Sequence, residues 1–168
     1  MKNSLILLLI LITGCTGMNK VIYDTKREQN ILVGECNRDA FNIDDFENWF
    51  YSEYKSYDPD SEVLKKIKGE LFNFDITIVM ATWCPDCLRD VPRMFKILDH
   101  LAYHEPKIRM IGVDSEKKSD VKDYEELKVT SVPTFIIYKD KNEVGRIVEN
   151  ADESLEKDLV KIILENLD

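Results

Sequence analysis

Apolar positions along this chain recur with two periods, and the changes of period mark its elements. Asp75 to Thr82 is an apolar, β-branched run, which predicts a buried strand. From Pro85 to about Tyr103 the apolar residues return at helical spacing. Lys107 to Asp114 predicts a second strand and Ser119 to Leu127 a helix. Phe135 to Tyr138 and Glu143 to Val148 form a hairpin across the turn Lys139 to Asn142. Asp152 to Leu167 closes the series as an amphipathic helix with Leu155, Leu159, Ile162 and Ile163 inward. The order β-α-β-α-β-β-α predicts an α/β fold, a mixed central sheet sandwiched by helices.

Two more helical patterns precede this unit. Asp44 to Tyr54 carries Phe46, Trp49, Phe50 and Tyr54 at helical spacing, an aromatic stripe that reads as core. After the break Asp58-Pro59-Asp60, Ser61 to Leu71 sets Val63, Leu64, Ile67 and Leu71 on one helical face. Ile31 to Gly34 predicts a short strand or packing segment. Thr16 to Asn30 is polar and mixed in charge, a tether, within which only Val21-Ile22-Tyr23 has strand character. The domains expected are therefore a leader at 1–14, a tether at 15–30, an N-terminal helical extension at 31–73 and a main domain at 74–168.

The leader changes the picture of where the protein works. Lys2 precedes the apolar run Leu5 to Ile12, which is too short to span a bilayer, and Thr13-Gly14-Cys15 follows it. This end resembles a bacterial lipobox, which implies cleavage before Cys15 and a lipid on Cys15. An ordinary signal peptide or an uncleaved anchor is the alternative. The expected location is the extracytoplasmic face of a membrane, periplasmic or outer, where dithiol chemistry finds substrates. With 23 Lys and Arg against 32 Asp and Glu, the net charge of −9 argues against a nucleic-acid partner.

The candidate chemistry sits where the first predicted strand of the main domain meets its helix, at Trp83-Cys84-Pro85-Asp86-Cys87. Pro85 suits the first helical position, which needs no N–H partner. A cysteine at that point faces unpaired N–H groups and the positive end of the helix dipole, and so ionises more readily than a free one. Cys84 comes first and is expected to be the attacking thiol. Cys87 lies one turn on, within reach of a disulfide with it, so the pair cycles between dithiol and disulfide. Asp86, between them, opposes ionisation of Cys84 and argues for a reductant over a strong oxidant.

Trp83-Cys84-Pro85-Asp86-Cys87 after an apolar strand, Pro92 five residues after Cys87, and Val132-Pro133-Thr134 further on resemble the thioredoxin family. The resemblance covers Phe74 to the C-terminus. It implies a thioredoxin-like three-layer sandwich, a kink at Pro92, a cis Pro133 beside the cysteines, and a substrate groove. Trp83, Pro85, Asp86, Val132, Pro133 and Thr134 would border that groove, with the backbone of Val132 pairing with an extended substrate. The chain departs from the family pattern at two places. Ile78 stands where thioredoxins hold a buried Asp, and its Lys partner falls near Met110. Glu149 or Asn150 replaces a close-approach Gly.

Two competing signals are weaker. Cys84, Cys87, His100 and His104 have zinc-finger spacing, but one helix from 85 to 103 would hold Cys87 and His100 about 20 Å apart. No metal and no cofactor is expected. Cys36, the remaining cysteine, reads as a small buried apolar residue ahead of a third redox thiol. The leading function is thus a lipid-anchored thiol–disulfide oxidoreductase acting on exported protein disulfides or thiols, reset by a membrane or thioredoxin-type electron donor. An oxidase or isomerase, or a binding module with a static disulfide, is the alternative.

Overall fold

The computed structural model describes residues 17–103 and 105–167. Among these residues six strands form one sheet in the order β1-β2-β4-β3-β5-β6. They are β1 Lys20–Asp24, β2 Gln29–Cys36, β3 Phe74–Met80, β4 Ile108–Gly112, β5 Thr134–Lys139 and β6 Asn142–Val148. β3 and β4 run parallel, with Ile78 beside Met110, and every other neighbouring pair is antiparallel. The helices are α1 Asp44–Ser56, α2 Ser61–Leu64, α3 Pro85–His100 and α4 Leu155–Leu164. The mixed sheet flanked by helices matches the α/β expectation.

From Ile76 to Met80 β3 is buried on both faces, because the sheet is covered on both. On one side α3 packs between α1 and α4. The aromatic stripe of α1 is core: Phe46 and Phe50 are buried, Phe50 stacks on Phe41 at 3.9 Å and meets Phe95 of α3 at 5.8 Å. On the other side the segment 113–131 crosses the sheet. It is fastened by Arg109, which forks onto Asp123 at 2.7 Å, and by Arg146, which donates to the Leu127 carbonyl at 3.1 Å.

Three sequence expectations are corrected. The segment 16–30 is not a tether throughout: from Lys20 it forms β1 and, across a turn at 25–28, enters β2. β1 is an edge strand whose stabilisation comes from backbone pairing rather than burial, so its side chains carry little apolar alternation. The extension at 31–73 opens on β2, in line with the strand reading of Ile31 to Gly34, and its helical part begins only after Cys36. Ser61 to Leu71 is not one helix either. Asp60 caps α2 through Glu62 and Val63 N–H, but Lys68 turns extended and Gly69 takes φ +97°, leaving two short 3-10 turns, Lys65–Ile67 and Glu70–Asn73. Ser119 to Leu127 contracts to one 3-10 turn, Tyr124–Leu127, in which Tyr124 and Leu127 are buried; of the residues before it only Val121 is apolar, too few to hold a helical face on the core.

Candidate active site

The dithiol sits at the C-terminal end of β3. The chain leaves the sheet at Met80, and the Cys84 N–H donates to the Ala81 carbonyl at 3.2 Å. Cys84 is the N-cap of α3, with extended backbone, and its carbonyl accepts the Leu88 N–H at 3.0 Å. Pro85 occupies the first helical position. Pro92, one turn from Cys87, is buried inside α3. The helix reads through it because α3 is packed along its length by α1, α4 and the sheet.

The two thiols, both free, are held differently. Cys87 is 0% exposed and its sulfur accepts the Ala81 N–H at 3.3 Å. Burial, the neighbouring Cys84 sulfur and the Asp86 charge push its thiol well above the usual range. Cys84 is 8% exposed and its thiol donates to the Val132 carbonyl at 3.3 Å. Its pKa is lowered to about 6, first by the hydrogen bond from the Cys87 thiol and then by the N–H groups of Cys87 and Asp86 at the helix start. Burial and the Asp86 charge act the other way and lose. Asp86 is partly neutralised by Arg89, whose Nη1 lies 3.0 Å from its carboxylate. The pair is thus one ionisable thiol stabilised by its protonated partner, at a helix N-terminus.

Trp83, Pro85, Asp86, Val132, Pro133 and Thr134 come together around Cys84. The Val132–Pro133 peptide is cis. Thr134 is buried and its hydroxyl donates to the Ser131 carbonyl at 2.6 Å, closing the turn before β5. Behind the turn, Glu149 takes φ +62°, the left-handed region that favours glycine, and its N–H donates to the Pro133 carbonyl at 2.7 Å. The structure keeps the close approach that a glycine would permit and places a glutamate there at a backbone cost of roughly 1–2 kcal/mol. The Ile78 and Met110 side chains are both buried, one on β3 and one on β4, so the acid–lysine pair is replaced by an apolar pair in register.

Other expected participants lie elsewhere. His100 ends α3, at the far end of the helix from Cys87, and His104 lies outside the described residues. Cys36 is on β2, with its thiol donating to the Gly34 carbonyl at 3.1 Å and its pKa raised by burial to about 12. Residues 1–14 and Cys15 also lie outside the described residues. Two residues near the site were not singled out from sequence. Arg89 bridges Asp86, Asp90 and Asn150, linking α3 to the chain after β6. Arg27, from the β1–β2 turn, lies over the Trp83 ring at 4.1 Å. The strand character of Val21 to Tyr23 followed by Ile31 to Gly34 was the signal for that turn.

The family model described as thioredoxin matches residues 60–162. The chain belongs to the thioredoxin family, whose members are thiol–disulfide oxidoreductases. Mitochondrial thioredoxin-3 of Saccharomyces cerevisiae is 34% identical over 77 residues, which cover 46% of this chain and 56% of the yeast protein. The thioredoxin of Chlamydia pneumoniae is 34% identical over 80 residues, covering 48% of this chain and 72% of its own. The likeness in fold extends further. A crystal structure of a protein of unknown function from Pseudomonas aeruginosa superposes with a TM-score of 0.53 at 15% identity, covering 80% of this chain and 89% of that one.

Proposed function

We propose that this thioredoxin-family protein is a reductase of protein disulfides, working on the extracytoplasmic face of a membrane to which Cys15 anchors it. The observation that carries the reading is the asymmetric dithiol: an ionisable Cys84 beside the Val132 carbonyl, backed by a buried, protonated Cys87.

The geometry supplies each step. The Cys84 thiolate, its proton already lost to water, attacks one sulfur of a substrate disulfide. That S–S bond breaks, a mixed disulfide forms on Cys84, and the other substrate sulfur leaves as a thiolate. This thiolate takes the Cys87 proton, which removes the need for a protein base where Ile78 replaces an acid. Cys87 then attacks the Cys84 sulfur and frees the second substrate sulfur, which is protonated from water. The substrate gains two electrons and two protons, and the protein is left with a Cys84–Cys87 disulfide that an external dithiol donor must reduce. Before reaction the Val132 carbonyl is held by the Cys84 thiol. Ionisation frees it to pair with an extended substrate backbone.

The balance at Cys84 supports this direction. The more a thiolate is stabilised, the more oxidising its disulfide becomes. A pKa of about 6 lies nearer the value of about 7 in thioredoxin than that of about 3.5 in the strong oxidant DsbA. Lys2, the run Leu5 to Ile12 and Gly14-Cys15 support the lipid anchor. β1 leads from Lys20 toward the Trp83 end of the sheet, an arrangement that suits an anchor at the opposite pole with the dithiol facing away from the membrane.

The test is the reduction potential of the Cys84–Cys87 pair. A value near about −270 mV, as in thioredoxin, is expected, and one near about −120 mV would reverse the direction of electron flow. Cys87→Ser is expected to accumulate mixed disulfides on Cys84. Cys15→Ser is expected to release the protein from the membrane fraction.

A further inference from the structure

The β1–β2 turn, which lies outside the thioredoxin-matching region at residues 60–162, reaches Trp83 beside the dithiol. Asp24 accepts the N–H groups of Lys26 and Arg27 at 2.8 and 2.9 Å, which fixes the turn. Lys26 pairs with Glu116 on the segment after β4. On that same segment, Lys117 donates to the Thr130 carbonyl at 3.0 Å, two residues before Val132. The turn is therefore docked on the rim that carries the cis-proline loop.

At its tip the Arg27 guanidinium covers the Trp83 ring. Among the described residues that ring contact is the one interaction the guanidinium makes: no carboxylate pairs with it, and its five N–H donors are unspent. The other arginines near the site are consumed, Arg89 by Asp86 and Asp90 and Arg93 by Glu53. Asp24 is turned toward backbone N–H groups and Ser115, and Glu28, next to Arg27 in sequence, forms no ion pair with it among the described residues. The indole Nε1 of Trp83 is also buried without a hydrogen-bond partner among the described residues, so Arg27 is held by the ring face rather than by a polar network.

We propose that Arg27 is a specificity residue that binds an acidic side chain flanking the reacting half-cystine of the substrate. Arg27 takes no part in the exchange of electrons. It orients the segment lying along Trp83 and Val132, and its fork geometry suits a carboxylate. This rests on the reductase reading and names the class of substrate that the site prefers: disulfides in acidic extended segments.

The experiment uses the full chain, reduced, against two cyclic peptide disulfides that differ only in Glu or Gln beside one cysteine. Single-turnover reduction is followed for each. The wild type is expected to reduce the Glu peptide about two- to fivefold faster at low salt, the range of an exposed ion pair. The preference is expected to vanish near 1 M salt, where screening acts within about 3 Å. Arg27→Gln is expected to abolish the preference by slowing the Glu peptide to the rate of the Gln peptide, and Arg27→Lys to retain part of it. Equal rates for both peptides in the wild type would overturn the proposal. So would a preference that survives Arg27→Gln, or an Arg27→Gln variant that slows both peptides alike, since Arg27 would then merely support Trp83. If the wild type reduces neither peptide, the reductase reading itself fails, an outcome distinct from the others.

Discussion

Cys84 and Cys36 are almost equally hidden, 8% and 5% exposed, yet their thiols are pushed in opposite directions, to about 6 and about 12. Each donates to a backbone carbonyl, Val132 in one case and Gly34 in the other. The difference lies in what faces the sulfur. Cys84 caps α3, where the Cys87 thiol and two N–H groups stabilise an anion. Cys36 sits at the end of a sheet strand with Glu35 beside it, and a single Gly112 N–H does not offset burial. Surface exposure alone therefore does not separate them: burial is the largest influence on Cys36, whereas at Cys84 the hydrogen bonds to the thiolate outweigh it.

The comparison breaks most sharply by substitution. Cys84→Ser is expected to reduce disulfide-reducing turnover to background, while Cys36→Ser leaves it within about twofold. Full activity in Cys84→Ser, or its loss in Cys36→Ser, would move the chemistry to the other thiol. Alkylation of the reduced protein probes the same contrast by rate. At pH 7 the thiolate fractions of the two cysteines differ by roughly 10^5, and the higher nucleophilicity of the more basic thiolate cuts this to roughly a few hundredfold. Cys84 is expected to react with a midpoint near pH 6. Its folded pKa lies below the ordinary 9.0, so the reduced fold gains stability as pH rises from about 6 toward 9 and loses it as pH falls back through 6. Chemical denaturation of the dithiol form at pH 5.5 and 8.5 checks that sign.

Gly112→Ala tests the Cys36 side. A Cβ there would lie 2.4 Å from the Leu32 carbonyl oxygen, forcing β2 off β4, and a loss of about 1–3 kcal/mol is expected by urea unfolding. The Cys84 midpoint should stay near 6 in that variant. The smallest effect is expected for Asp86→Asn. Removing the charge that opposes the thiolate should lower the Cys84 midpoint by a few tenths of a pH unit and make the disulfide more oxidising by about 10 mV. A rise instead would mean that Asp86 holds Arg89 close to the thiolate, so that losing the guanidinium from the site outweighs removing the negative charge.

β3, α3, the β5–β6 hairpin and α4 were legible because each carries a strong period and is bounded by a recognisable stop. The dithiol was legible for a related reason. A strand followed by Cys-Pro-Asp-Cys and a helix has one reasonable local geometry, and residues adjacent in sequence stay adjacent in space. The β1–β2 hairpin was not legible as such. β1 is an exposed edge whose pairing is made by backbone, and side-chain patterns report burial rather than backbone pairing. At Cys84 the favourable helix N–H groups and the opposing Asp86 charge were both legible, whereas the largest influence, the hydrogen bond from the Cys87 thiol, was not.

The sequence by itself determined the dithiol, its helix, the Val132-Pro133 turn and the α/β order, since these rest on short-range patterns and local sterics. Only the tertiary structure decided which distant groups meet them. It laid Arg27 on Trp83, closed Glu149 onto Pro133, set Ile78 beside Met110, and left Cys36 away from Cys84. Those meetings depend on strand order and register across the sheet, which arise from the packing of the whole core and from backbone hydrogen bonds that any side chain can accompany.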